Sequence, residues 1–330
     1  MTQELNFDLY EGKGEPIKDR KLVLPDYEPV EDFDHPKNYI AGEGLRNAVN
    51  VALTLGQPLL VTGEPGTGKT QLAASIAFEL GMHAPLEFFT KTTSIATDLF
   101  YLYDALRRFQ DAQTPGKKQL HIDDYITYQA LGQAILLTKQ PGEVNRYLPE
   151  KLRGVGPSRS VVLIDEIDKA PRDFPNDLLN EIEKMRFKVK ETGVTFEAEE
   201  RFRPILILTS NSEKNLPDAF LRRCVFYHIP FPSVEELTEI VKRKFKNAPD
   251  FTPGFIDAAV KRFFDIRELA LKKKPATAEF LPWLRVLRSL DLDAKDILSG
   301  QTEALIISFS LLAKSEGDFA LLRKKITGQV

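Results

Sequence analysis

One eight-residue run, GEPGTGKT at positions 63–70, constrains this chain more than any other. It has the form G-x-x-x-x-G-K-T. Leu59, Leu60 and Val61 precede it, and Leu72, Ile76 and Leu80 follow it at every fourth position. The first group reads as a short buried strand and the second as a helix that Thr70 opens. A loop in this setting holds phosphate when successive backbone N–H groups turn inward, and Gly66 and Gly68 allow the turn where a Cβ would clash. The helix N-terminus adds partial positive charge to the same point. Lys69 is placed to reach the β- and γ-phosphates of a nucleotide, and the Thr70 hydroxyl to hold Mg²⁺. The candidate nucleotide contacts are Gly63, Pro65, Gly66, Thr67, Gly68, Lys69, Thr70 and Gln71.

The loop alone does not say what the nucleotide is for, and three later stretches narrow it. In VVLIDEID (161–168), a fully apolar strand ends in two acids. Asp165 stands at the carboxyl edge of the sheet, where open α/β folds hold their ligands, and an Asp there binds Mg²⁺ together with Thr70. Glu166 is placed to orient and deprotonate a water for attack on the γ-phosphate. A small-molecule kinase has no use for such a group, so the pair points to hydrolysis. In LILTSN (206–211), Asn211 ends a buried strand that the sheet edge brings beside Asp165. Its amide can hold the attacking water or touch the γ-phosphate, although Asn also ends strands simply as a turn residue. In LPDAFLRRC (216–224), Arg222 and Arg223 lie on a short polar segment before a strand. They are either a solvated face or an arginine finger inserted into a neighbour's site, where an always-charged fork neutralises the transferring phosphoryl group.

The chain has 330 residues, room for one large or two medium domains. A formal charge of −3 gives no global signal for a polyanion partner. Cys224 is the sole cysteine, so no intrachain disulfide forms, which suits a reducing, cytoplasmic setting. The four histidines, His35, His83, His121 and His228, have no metal-ligand spacing. The longest apolar stretch, ALIISFSLLA, is too short to span a bilayer, and the acidic start MTQELNFDLYEG is unlike a signal peptide.

Residues 1–36 read as an irregular arm, 37–231 as an α/β core and 232–330 as a smaller helical domain. The core alternates strands and helices, which predicts a parallel sheet covered on both faces. Leu45, Val49, Ala52 and Leu53 mark a first helix, and LEFFT (86–90) a second strand. ATDLFYLYDALRRFQDAQ (96–113) reads as one helix, with Leu99, Tyr103, Leu106 and Phe109 on a face, and ITYQALGQAILLTK (126–139) as another. The stretch from about 110 to 155, which holds the second of these, reads as an insertion between the second strand and the next. Phe174, Leu178, Ile182 and Met185 share a helix face. RFKVKETGVTFEAEE (186–200) alternates about a glycine turn and predicts a β-hairpin. Its face Arg186, Lys188, Lys190 is polar, its face Phe187, Val189, Val194, Phe196 is apolar, and its turn is expected to be exposed. CVFYHIPFP (224–232) reads as a last strand. Beyond it, Ser233 and Glu236 form a capping-box pattern. Phe255, Ala259, Phe263 and Ile266 mark a second helix of the helical domain, and two or three more are expected after it.

As an ordered set, GEPGTGKT, VVLIDEIDKAP, LILTSN and LPDAFLRRC resemble the AAA+ ATPases. DEIDKAPRDFPNDLLNEIE (165–183) is similar to the segment that follows the second acidic motif in the MoxR family. The resemblance covers roughly residues 35–290. It implies an α/β P-loop core, a helical lid, a ring that is usually a hexamer, and Mg·ATP bound at subunit boundaries. It further implies hairpins projecting from the core, one in the insertion and one before the Asn211 strand. Carried over by position, Lys69 and Thr70 serve phosphate and Mg²⁺, Asp165 is the metal partner, Glu166 the water activator, Asn211 the polar sensor and Arg223 the trans arginine. Arg222 stands where the family pattern more often has an acid. The family's lid helix often begins Ser-Pro-Arg; here KKPATAEFLPWLRVLRSL puts Ala278 near that arginine, with Arg285 and Arg288 two and three turns on.

The leading expectation is a ring-forming ATPase that remodels or matures a protein client, with a von Willebrand factor A partner as the resemblance implies. A nucleotide-switched scaffold is a second reading, weakened by Glu166. A nucleic-acid motor is a third, disfavoured by the acidic balance but kept open by the hairpin's Lys184, Arg186, Lys188 and Lys190. The hairpin is expected to carry nucleotide state to a partner; the alternative is that it covers a sheet edge.

Overall fold

Three buried runs, Leu59–Gly63, Val161–Asp165 and Ile205–Ser210, are too apolar to face water on either side, so they collect at the centre of one sheet, and two less buried runs, Leu86–Phe89 and Val225–Ile229, form its edges. The computed structural model describes residue 10 and residues 35–114, 121–212, 216–246, 248–299 and 303–327. Nearly all of the expected N-terminal arm lies outside these residues. In chain order the first half comprises α1 (Glu43–Leu55), β1 (Leu59–Gly63), α2 (Lys69–Glu79), β2 (Leu86–Phe89), β3 (Tyr101–Tyr103), α3 (Ala105–Gln113), β4 (Ile126–Tyr128), α4 (Ala130–Leu136) and α5 (Pro141–Val144). Then come β5 (Val161–Asp165), α6 (Phe174–Asp177), α7 (Leu179–Lys184), β6 (Arg186–Lys188), β7 (Thr195–Glu197), β8 (Ile205–Ser210), α8 (Asp218–Leu221) and β9 (Val225–Ile229). Six helices follow among the described residues: α9 (Val234–Lys244), α10 (Pro253–Arg267), α11 (Thr277–Ser289), α12 (Ala294–Ser299), α13 (Glu303–Ser308) and α14 (Glu316–Thr327).

The main sheet has the order β2-β5-β8-β1-β9, and every pairing in it is parallel. All five carboxyl ends therefore lie along one edge. Alternate residues divide the sheet's two faces. Leu60, Val162, Ile164, Leu206 and Leu208 join α4, α6 and α7 in one core, while α1 and α2 pack on the sheet as well, against β9, β1, β5 and β8. The expected parallel sheet covered by helices is what the structure contains.

Packing divides the chain into two units. One comprises 41–64 and 68–230, and the other 65–67 and 231–330 with the described residues up to Ile40. The helical unit has its own core around Phe263, Phe280, Trp283 and Phe309, all fully buried, and the Trp283 indole donates to Ser308 Oγ at 2.8 Å. Ser233 caps α9 by accepting from Glu236 N at 3.2 Å, and Glu236 returns the bond to Ser233 N at 2.9 Å, the reciprocal box its spacing predicts. Phe255, Ala259, Phe263 and Ile266 are all buried on α10. Among the described residues four helices follow α10 rather than two or three; α12 and α13 have six residues each, too few to show a period.

The segment between β2 and β5 differs from expectation. Residues 96–113 are not one helix but a 3-10 turn, β3 and α3, and β4 pairs antiparallel with β3. The Asp104 side chain accepts from Arg107 N at 2.8 Å and starts α3 afresh, so the apolar spacing from Leu99 to Phe109 bridges separate elements. Leu106 and Phe109 are accordingly exposed. Residues 126–139 likewise divide into β4 and α4. A Cβ on Gly132 of α4 would stand 2.0 Å from Phe100 O, so only glycine lets α4 lie against that backbone. Leu80 falls at the end of α2 and is exposed.

The second hairpin, β6 with β7, forms as expected, with Arg186 opposite Glu197, Phe187 opposite Phe196 and Gly193 in the left-handed region. Its apolar face is narrower than the alternation suggested: Phe187 and Val189 are buried and Phe196 half-buried, but Val194 is exposed. This face packs against β3, β4 and their flanking residues. Phe187 stacks on Phe100 with centroids 5.0 Å apart, and Phe196 meets Tyr128 and Tyr147 edge-on at 5.8 and 5.2 Å. Lys190 N donates to the Tyr101 hydroxyl at 3.0 Å, and Glu191 and Thr192 are half-buried, so the turn is less exposed than expected. The two hairpins thus share one aromatic cluster.

Candidate active site

At the carboxyl edge β1 runs into the glycine loop, where Gly66 and Gly68 have φ of 76° and 85°, a left-handed backbone a Cβ would strain. Lys69 opens α2 and is 7% exposed. Its ammonium donates to Gly63 O at 2.8 Å, Glu64 O at 3.0 Å and Asn211 Oδ1 at 3.1 Å. Burial pulls its pKa down, and the carboxylates of Asp165, Asp168 and Glu166 oppose that shift. The next side chain, Thr70, donates its hydroxyl to Asp165 Oδ1 and Oδ2 at 3.1 and 3.3 Å. Sheet order explains these meetings. Strand β8 lies between β1 and β5, so Asn211, just beyond β8, comes between the loop and Asp165.

Asp165 is 8% exposed, and a second hydroxyl, Thr209 Oγ1, also donates to its Oδ1. The same Thr209 oxygen accepts from Glu166 N at 2.9 Å. Thr209 is not among the residues expected from the sequence; its signal there is a polar residue two positions before Asn211, where the apolar run ILIL ends. Glu166 has φ 53° and ψ 49°, left-handed for a residue with a Cβ, and begins a 3-10 turn over Ile167–Lys169. Its Oε2 accepts from Lys169 Nζ, and Asp168 Oδ1 accepts from Asn211 N at 3.3 Å.

Thr70 and Asp165 offer hard oxygen donors within hydrogen-bond reach of each other. That set fits Mg²⁺, which is commonly held by one or two protein oxygens together with substrate phosphates and water. No cluster of three or more His, Cys, Asp or Glu residues able to hold a metal occurs among the described residues.

The arginine pair is elsewhere. Arg222 and Arg223 follow α8 and are exposed. Arg223 Nη1 donates to Ala219 O at 3.0 Å, and Nε lies 3.7 Å from Glu183 Oε2. They lead into β9, whose first residue, Val225, pairs with Leu59 at the start of β1, and Val225 N donates to Pro58 O at 2.8 Å. The pair therefore sits at the amino edge of the sheet, opposite the glycine loop, a strand length of roughly 15 Å away. In the helical unit, Arg288 lies over the Phe255 ring with 5.1 Å to the centroid and donates to Leu292 O at 3.5 Å, which makes it a packing residue there. Burial lowers the pKa of Arg285.

Solved structures of similar fold include two point variants of Thermotoga maritima RuvB. Each is 18% identical over 84% of this chain, with TM-scores of 0.46 and 0.47 and 73% and 72% of its own chain covered. No curated protein matches. Residues 59–233, more than half of the chain, match the family described as ATPase family associated with various cellular activities (AAA). The span begins at β1 and runs past β9, through every element just described around the glycine loop. The chain belongs to the AAA ATPase family.

Proposed function

We propose that this protein is a Mg²⁺-dependent ATP hydrolase of the MoxR type, working as a ring, most simply a hexamer, that remodels or matures a protein client. The observation that carries the reading is the convergence of Lys69, Thr70, Asp165 and Asn211 at one sheet edge, with Glu166 at its margin. Residues Gly63 and Pro65 to Gln71 hold the nucleotide, and Lys69 holds its terminal phosphates. Thr70 and Asp165 hold Mg²⁺, which neutralises charge on the phosphate oxygens when bound. Glu166 takes a proton from the water that attacks the γ-phosphorus as the bond to the bridging oxygen of ADP breaks. Asn211 positions that water or the γ-phosphate.

Arg223, with Arg222 beside it, acts on the ATP of a neighbouring copy. Its place at the far edge of the sheet supports a trans role, because that edge is too distant to serve the same copy's loop. The core spans 37–231 and residues 232–330 act as its lid. A von Willebrand factor A protein is the partner suggested by the MoxR resemblance, and a cytoplasmic setting agrees with the single cysteine. None of the described helices is long and apolar enough to cross a membrane. A nucleic-acid role would draw on Lys184, just before the hairpin, and on Arg186, Lys188 and Lys190 in it, of which Arg186 lies across from Glu197.

The test is Glu166→Gln against Lys69→Ala. Glu166→Gln should bind ATP normally and turn it over about 10²–10⁴-fold more slowly, the usual worth of a general base. Lys69→Ala should lose nucleotide binding itself. Wild-type turnover by Glu166→Gln would contradict the assignment.

A further inference from the structure

The turn that follows Glu166 carries a contact that the reading above does not use. Thr70 and Thr209 donate to Asp165, and Lys69 donates to Asn211, but the Glu166 carboxylate bonds to none of these side chains. It is instead paired with Lys169, three residues on, at a side-chain exposure of 39% for Glu166 and 50% for Lys169. The backbone holds this arrangement in place. Glu166 is left-handed, its N–H is tied to Thr209 Oγ1 at 2.9 Å, and its carbonyl accepts from Lys169 N at 2.9 Å. The same turn is anchored to the Asn211 backbone through Asp168 at 3.3 Å.

We propose that Lys169 is a positioning residue that holds the Glu166 carboxylate outside the phosphate cluster, so that this ion pair must open before hydrolysis. The proposal rests on Glu166 being the water activator. Asn211 accepts from Lys69 through its side chain and donates to Asp168 through its backbone. A γ-phosphate that draws Lys69 away from Asn211 is therefore felt at the turn carrying Lys169. The pair is exposed, and exposed pairs are weak, so the latch delays turnover modestly rather than blocking it.

The experiment compares steady-state ATPase of the full chain with Lys169→Met and Lys169→Arg. Lys169→Met keeps the side-chain stem and removes the charge. It should raise kcat about two- to fivefold, the range an exposed ion pair can hold, with the KM for ATP unchanged. Lys169→Arg should restore the wild-type kcat. A merely structural lysine would instead lower kcat or change both constants together, and either result, or an unchanged kcat, would overturn the proposal. The double variant Glu166→Gln with Lys169→Met separates the two failures. If Glu166→Gln alone is inactive, the double variant should be equally inactive, and a gain of activity in it would show that Lys169 acts through another group. If Glu166→Gln alone hydrolyses ATP normally, the reading of Glu166 fails and the latch fails with it.

Discussion

Thr209 makes two bonds through one hydroxyl, donating to Asp165 and accepting from Glu166 N, and it is fully buried. It therefore orients both acids at once, a role that residue type alone does not announce. On the proposed function, Thr209→Val leaves Asp165 with one hydroxyl partner and lets its carboxylate turn. Loss of such a supporting bond typically costs about 10–100-fold in metal affinity. The Mg²⁺ concentration for half-maximal ATPase should rise by that factor, with ATP binding less affected; an unchanged Mg²⁺ requirement would show that Asp165 needs no orienting group. Lys69, Thr70, Asp165 and Asn211 were readable because each has a chemically forced place: a loop needs glycines, and an acid ending an apolar strand needs a reason. Thr209 and Lys169 were not, since their importance lies in which atoms they meet across the sheet or turn.

At the level of elements, long apolar runs were legible and short composite segments were not. The strands became buried parallel strands because nothing else tolerates their composition. Residues 96–113 and 126–139 misled because a 3.6-residue spacing can arise by chance across a turn, a strand and a helix. Pairing of β3 with β4, set by chain topology, overrode it. The aromatic contacts between this pair and the β6–β7 hairpin suggest that the two hairpins move as one piece. Phe187→Ala removes the ring that stacks on Phe100 and meets Tyr128 edge-on. It should destabilise by about 3–5 kcal/mol, as buried Phe truncations do. Amide exchange should then speed up at Ile126–Tyr128 as well as in β6 and β7. Protection lost in the hairpin alone would mean that the two hairpins are independent.

The whole-molecule account joins opposite edges of one sheet. The glycine loop, Asp165 and Asn211 occupy the carboxyl edge, and Arg222 and Arg223 the amino edge. That separation was implicit in the order of motifs, but it needed the strand register to become a distance. On the proposed function it gives the ring its logic, since the site at one edge would be completed by arginines that another copy brings. An arginine finger can be worth about 10³–10⁵ in rate. Glu166→Gln and Arg223→Ala should each abolish most turnover by the pure protein, for different reasons. The most direct measurement is the ATPase rate of the two variants mixed under conditions where rings exchange subunits. Shared sites predict a rate well above the sum of the two separate variants, because some interfaces then join an intact Glu166 to an intact Arg223. A rate no greater than that sum, in rings shown to be mixed, would contradict the account.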